Sequence, residues 1–187
     1  MMKPLVMAPT PLSGETRVHL LEGQYHVSGD PAVVLTTTLG SCVAACVRDP
    51  QAGVGGMNHF LLPGDGEETR EGARYGAYAM EVLINALLAR GAVRGRLQAK
   101  LFGGGQLLQG LHNVGDRNVT FAESFLKREG IPVSGGSVGG SNARKIQFWP
   151  VSVRARQLEL ARGEDRVFAR ELATKPRTIE HGDVELF

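Results

Sequence analysis

A chain of 187 residues with 21 Lys/Arg against 19 Asp/Glu carries a formal charge of only +2, and the nearest basic run, Arg154, Arg156 and Arg162, has Glu159 set within it. That balance speaks against the concentrated basic stripe by which nucleic-acid-binding domains neutralise phosphates. The most apolar window, AYAMEVLINALLA, contains Glu81 and Asn85 and is too short to span a bilayer, and prolines break the start MMKPLVMAPTPLSGE before any secretory apolar segment forms. The chain is expected to be soluble and cytoplasmic, with reduced thiols, no nucleic-acid partner and no membrane insertion. Its length suits one domain able to bury roughly two thirds of its unfolded surface without disulfide or metal.

Residues 1–16, punctuated by Pro4, Pro9, Pro11 and Gly14, read as a flexible leader. Strands are expected at QYHVSG (24–29) and at AVVLTTT (32–38), which is rich in β-branched residues. SCVAACVRD (41–49) and VGGMNHFLL (54–62) then form a hairpin around DPQAG, a loop of roughly five residues. The segment 72–91 is the clearest helix, with Tyr75, Ala79, Val82, Leu83, Ala86 and Leu87 at three- and four-residue intervals and Gly91 as its terminator.

LQAKLFGG (97–104) reads as a strand entering a glycine-rich turn, and 115–130 as a second helix that Asn118 could cap. Strands follow at 131–135, 144–149 and 151–160, then an ambiguous region in which EDRVFARELA suits a short helix and TIEHGDVELF a strand or tail. The expected fold is a single α/β domain over 17–162, a layered sandwich with helices packed on mixed or largely antiparallel sheet. Residues 163–187 are expected to be an extension packed on or beside it.

TLGSCVAACVRDPQAGVGGMNHF (38–60) holds both cysteines and one of the five histidines. If the hairpin loop is centred between Pro50 and Gln51, Cys42 and His59 face each other on one side of the sheet. Cys42 and Cys46, about 13 Å apart along an extended strand at roughly 3.3 Å per residue, are badly spaced for a disulfide or a shared zinc ion. A helical segment would reopen the metal reading. Cys46, inside an apolar run, suits an inert buried thiol. Cys42 follows Gly40-Ser41, where a close turn leaves backbone N–H groups to receive an oxyanion.

Spacing therefore allows a thiol nucleophile with an imidazole base, or a small core cysteine beside a hydrogen-bonded histidine. Thr36, Thr37 and Thr38 are candidates to orient the imidazole. His19, His26, His112 and His181 suit surface or structural roles. GGG at 103–105 lacks the lysine and spacing of a phosphate-binding loop.

Taken together, TLGSCVAACVRDP (38–50), GGMNHFLLP (55–63), RYGAYAMEVLINALL, AKLFGG (99–104), NVGDRN (113–118) and GGSNARKI (139–146) resemble the chemoreceptor glutamine deamidase family, CheD, over about residues 20–160. The resemblance implies Cys42 as nucleophile, His59 as its base and Thr36 as the residue assisting the histidine. It implies hydrolysis of glutamine side-chain amides on methyl-accepting chemotaxis receptors, with no cofactor and no metal. Backbone N–H groups of Ser41 and Cys42 would hold the oxyanion, and Gly40, Asn58, Phe102, Gly103, Gly104 and Asn142 would line a shallow groove for a receptor helix. Ala143 departs from the glycine frequent at that place in the family. Alternatives are a noncatalytic chemotaxis adaptor that binds receptor or a CheC-type phosphatase, and an amidase of free glutamine.

Overall fold

The computed structural model describes residues 14–63, 70–107, 114–152 and 154–160. In chain order these form β1 (Thr16–His19), β2 (Tyr25–Ser28), β3 (Val33–Leu39), β4 (Val43–Asp49), β5 (Val54–Asn58), α1 (Arg70–Ala89), a 3-10 turn at Arg94–Arg96, β6 (Gln98–Gly103), α2 (Val114–Arg128), β7 (Val133–Val138), β8 (Ala143–Phe148) and β9 (Ala155–Leu160). The β-branched run of β3 and the small and apolar residues of β4 and β5 are buried along nearly their whole length. Such strands are covered on both faces.

The strands divide into two sheets, ordered β1-β3-β8-β9 and β2-β5-β4-β6-β7. Within them β1–β3 and β6–β7 are parallel and the other pairs antiparallel. Alternation along β4 assigns its two faces. Val43, Ala45 and Val47 join Met80, Leu83 and Leu87 of α1 and Phe125 and Leu126 of α2 in one apolar cluster. Cys42, Ala44 and Cys46 join Leu35 and Leu39 of β3 and Ile146 and Phe148 of β8 in another. The molecule is thus three layers, sheet on sheet with both helices on the outer face of the second sheet. Each fully buried large side chain contributes about 1.5–3 kcal/mol of transfer free energy to these two cores.

Several sequence expectations need correction. The β4–β5 loop spans 50–53, and the strands pair as Cys46 with Met57 and Val47 with Gly56. The register is therefore displaced by two residues, and a shift of two preserves which side chains share a face. The buried stripe of α1 runs through Gly72, Gly76, Met80, Leu83, Ile84 and Leu87, with Tyr75 outside it among the exposed apolar residues. Gly76 lies there because a Cβ would meet Leu62 and Phe121. Asn118 is no cap; it sits within α2 and is fully buried.

The first of the three late strands, expected at 131–135, is β7, Val133–Val138, mostly exposed. The leader boundary also moves, since Thr16 opens β1 and Glu15 accepts a hydrogen bond from the Trp149 indole at 3.1 Å. His112, His181 and the elements expected beyond 162 lie outside the described residues.

Candidate active site

The chain crosses from the first sheet to the second through Gly40, Ser41 and Cys42, the residues between β3 and β4. Backbone donors from the glycine run pin this crossing. Gly104 N–H reaches Cys42 O and Gly105 N–H reaches Gly40 O, both at 2.8 Å. Gly103, at φ 107°, has no room for a Cβ, which would run into the Cys42 carbonyl. From the helical side, Asn118 donates through Nδ2 to Ser41 O and accepts Leu62 N–H through Oδ1, each at 2.9 Å. The GGG motif and Asn118 therefore fix the shape of the turn that carries the thiol.

Val43 and Phe60 exchange both backbone hydrogen bonds, at 3.0 and 2.9 Å, which makes Cys42 and His59 diagonal neighbours on the face toward the first sheet. Diagonal pairs stand about 7–8 Å apart between strands, within reach of longer side chains. Directly opposed, as the sequence suggested, they are not.

His59 is held through its inner nitrogen. Thr37 Oγ1 lies 2.9 Å from His59 Nδ1 and 2.9 Å from Leu20 O, and Leu20 O is 3.5 Å from the same nitrogen. The hydroxyl proton is spent on the carbonyl, so Thr37 Oγ1 accepts from Nδ1–H, and Nε2 is left with its lone pair. Among the described residues Nε2 is buried and has no hydrogen-bond partner. Burial pulls the His59 pKa down to about 4, with the nearby His19 adding to the effect and the Leu20 carbonyl opposing it. The imidazole is therefore neutral near pH 7 and available as a base.

Thr36, the threonine implied by the family resemblance, bonds elsewhere. Its hydroxyl meets His19 Nδ1 at 3.2 Å and Val18 O at 3.5 Å. Leu35, Thr37 and Leu39 share the inward parity of β3, and Thr36 points the other way. Parity could not be carried from Thr36 to Cys42 because the two residues belong to different sheets.

Cys42 is buried, at 6% exposure, and neither cysteine is in a disulfide. Its Sγ contacts Glu22 Oε2 at 3.9 Å, a residue the sequence reading passed over because nothing in a lone glutamate before a glycine marks it. His59 Nε2 makes no hydrogen bond to the thiol. Burial pushes the Cys46 thiol upward, only partly offset by Lys100, so it stays protonated and inert.

The proposed groove residues divide. Gly40, Gly103 and Gly104 belong to the thiol turn. Asn58 is 2% exposed; it accepts Ala45 N–H at 3.0 Å and donates to Ala79 O at 2.9 Å, tying α1 to the sheet. Phe102 is packed in the core between the sheets. Asn142 donates to Glu159 at 3.4 Å, and its carbonyl accepts from the buried Arg144.

The chain matches the family model described as CheD chemotactic sensory transduction over residues 61–158. It is 55% identical to a probable chemoreceptor glutamine deamidase CheD of Caulobacter vibrioides (strain NA1000 / CB15N), over 91% of this chain and 93% of that protein. The chain belongs to the CheD family. A CheD relative from Agrobacterium fabrum, likewise named a probable chemoreceptor glutamine deamidase, is 59% identical over 79% of this chain and 82% of its own length; one from Caulobacter sp. (strain K31) is 54% identical over 91% and 93%. Among solved structures, the Bacillus licheniformis hypothetical protein YfiH aligns with this CheD chain at TM-score 0.41 and 15% identity, covering 60% of this chain and 49% of its own. Among the described residues of this CheD chain no helix is long and apolar enough to cross a membrane.

Proposed function

We propose that this chain hydrolyses glutamine side-chain amides on methyl-accepting chemotaxis receptors, with Cys42 as nucleophile and His59 as base. The observation that carries the site assignment is the orphaned Nε2 of a neutral, Thr37-held imidazole on the same sheet face as the thiol. Family membership supports the reaction class and the receptor as substrate.

In this mechanism His59 Nε2 takes the Cys42 proton as sulfur attacks the carboxamide carbon. Backbone N–H groups of the turn at Ser41 and Cys42 receive the tetrahedral oxyanion as it forms. The C–N bond breaks as the imidazolium protonates the departing nitrogen, releasing ammonia and leaving a thioester. Water, deprotonated by His59, then cleaves the C–S bond to give the glutamate side chain and free thiol. Thr37 keeps the imidazole in the one tautomer that serves both steps.

The same reading extends to the cytoplasm as the place of action and to a CheC-type phosphatase as a second partner; both rest on the family resemblance. The test compares ammonia release from a purified receptor cytoplasmic segment and from free glutamine. Release from the segment, lost in C42A while binding persists, is expected. Turnover of free glutamine with no action on the segment would replace the receptor by a small-molecule substrate, and binding without turnover by the wild type would favour the adaptor.

A further inference from the structure

The segment Leu20–Gln24 enters the mechanism above only through the Leu20 carbonyl, yet it is bonded to both the side chain and the backbone of His59. Leu20 O receives the Thr37 hydroxyl and faces His59 Nδ1. Gly23 N–H donates to His59 O at 2.7 Å and His59 N–H donates to Gln24 O at 3.0 Å. Between these anchors the chain makes a β-turn, closed by Gln24 N–H to Leu21 O at 3.1 Å and braced by Leu21 N–H to Gln24 Oε1 at 2.9 Å. Gly23 occupies the third position at φ 81°, as a type II turn requires. The second position, the outer corner of that turn, is Glu22. A glutamate is thereby hung on the backbone of the base, with its Oε2 3.9 Å from the nucleophilic sulfur.

We propose that Glu22 selects a carboxamide over a carboxylate or an ester at Cys42 by accepting a hydrogen bond from the substrate's NH2 group. The inference rests on Cys42 being the nucleophile. In a near-attack arrangement the carbonyl carbon sits about 3–3.5 Å from sulfur, and the amide oxygen and nitrogen flank it. With the oxygen turned to the backbone of the thiol turn, the amide nitrogen is placed toward Glu22, whose Oε2 lies 3.9 Å from the sulfur. An ionised carboxylate only accepts. It pairs with the two N–H donors of an amide, finds no donor on an ester, and repels the carboxylate formed on hydrolysis.

Glu22 thereby orients the substrate and hastens release of the product. Tyr75 of α1 stands close to both groups; its phenol is pushed up first by burial and then by the charges of Glu22 and Cys42, so it stays protonated and adds no charge beside the carboxylate.

The test uses the full chain with Glu22→Ala and Glu22→Gln, the receptor cytoplasmic segment carrying either glutamine or glutamate methyl ester at the reactive positions, and N-ethylmaleimide as a probe of the thiol. A hydrogen bond to a charged group accounts for a fall of about 10–100-fold in kcat/KM for the amide in E22A. E22Q, which keeps an acceptor oxygen, is expected to fall less. Ester hydrolysis should stay level or rise, and Cys42 should alkylate at least as fast as in the wild type, because a nearby negative charge disfavours the thiolate.

An equal fall for amide and ester, or slower alkylation, would show a merely structural turn and overturn the proposal. So would amide turnover by E22A within about twofold of the wild type. Either result with C42A inactive leaves the nucleophile in place, whereas an active C42A would overturn the nucleophile itself.

Discussion

Thr36 and Thr37 are chemically identical neighbours, and the strand sends one hydroxyl to His19 and the other to His59. Their consequences should differ accordingly. Thr37→Val keeps the shape of the side chain but removes the acceptor for Nδ1–H, so kcat is expected to fall about 10–100-fold with KM little changed. Thr36→Val should leave kcat within about threefold, and the reverse order in steady-state kinetics on the receptor segment would return the orienting role to Thr36. The buried imidazole gives a second handle. With its pKa near 4, His59 keeps its lone pair down to that pH, so the acid limb of kcat/KM should lie well below the ordinary histidine value of about 6.5. A limb near 6.5 would contradict the buried, neutral base. The sequence showed that a thiol and an imidazole share a face, because side-chain parity survives a two-residue error in register. It did not show which threonine meets His59, because that depends on where the chain changes sheets.

At the scale of elements, α2 does more than cover the second sheet. Asn118 reaches out of its buried face to hold both Leu62 N–H and Ser41 O, so it couples the helix to the turn that carries Cys42. Asn118→Ala would leave two backbone groups unpaired in a buried place, at a cost of about 2–4 kcal/mol. Urea unfolding measures that loss, and turnover should drop with it as the turn loosens. A variant as stable as the wild type would mean that water or a neighbour satisfies those groups. The helix itself was legible from its apolar spacing and Gly130. The role of Asn118 was not, since an asparagine near a helix start reads as a cap until its burial is known.

The described residues stack in three layers, and strand periodicity alone could not divide their nine strands between two sheets, since alternation reports faces and not partners. The β4–β5 turn is tied to the 3-10 turn that follows α1 by Asp49, which accepts Gln51, Ala52 and Val93 N–H groups and pairs with Arg96 at 2.7 Å. The Arg96 guanidinium and these backbone donors hold the Asp49 carboxyl well below the usual carboxylate range, against the opposing effect of burial.

Two acid windows follow. As pH falls from about 6.5 to about 4, unfolded His59 takes up a proton that the native state refuses, so stability declines. Below about 4 the unfolded chain also protonates Asp49 while the native chain keeps it ionised, and the stabilisation it supplies above that pH is progressively lost. Urea unfolding against pH should show His59→Gln losing the upper window. Asp49→Asn, weaker by about 3 kcal/mol at neutral pH, should lose the lower one. Unchanged pH profiles in both variants would contradict the protonation states assigned to the native protein.

The central claim, that the Cys42 sulfur and the His59 imidazole together convert receptor glutamines to glutamates, is tested most directly by peptide mass mapping. A purified receptor cytoplasmic segment is incubated with wild type, C42A or H59A. Discrete glutamine-bearing peptides should gain about one dalton with the wild type, not at all with C42A, and about 10²–10⁴-fold more slowly with H59A. The same gains at the same rate with C42A would contradict the account.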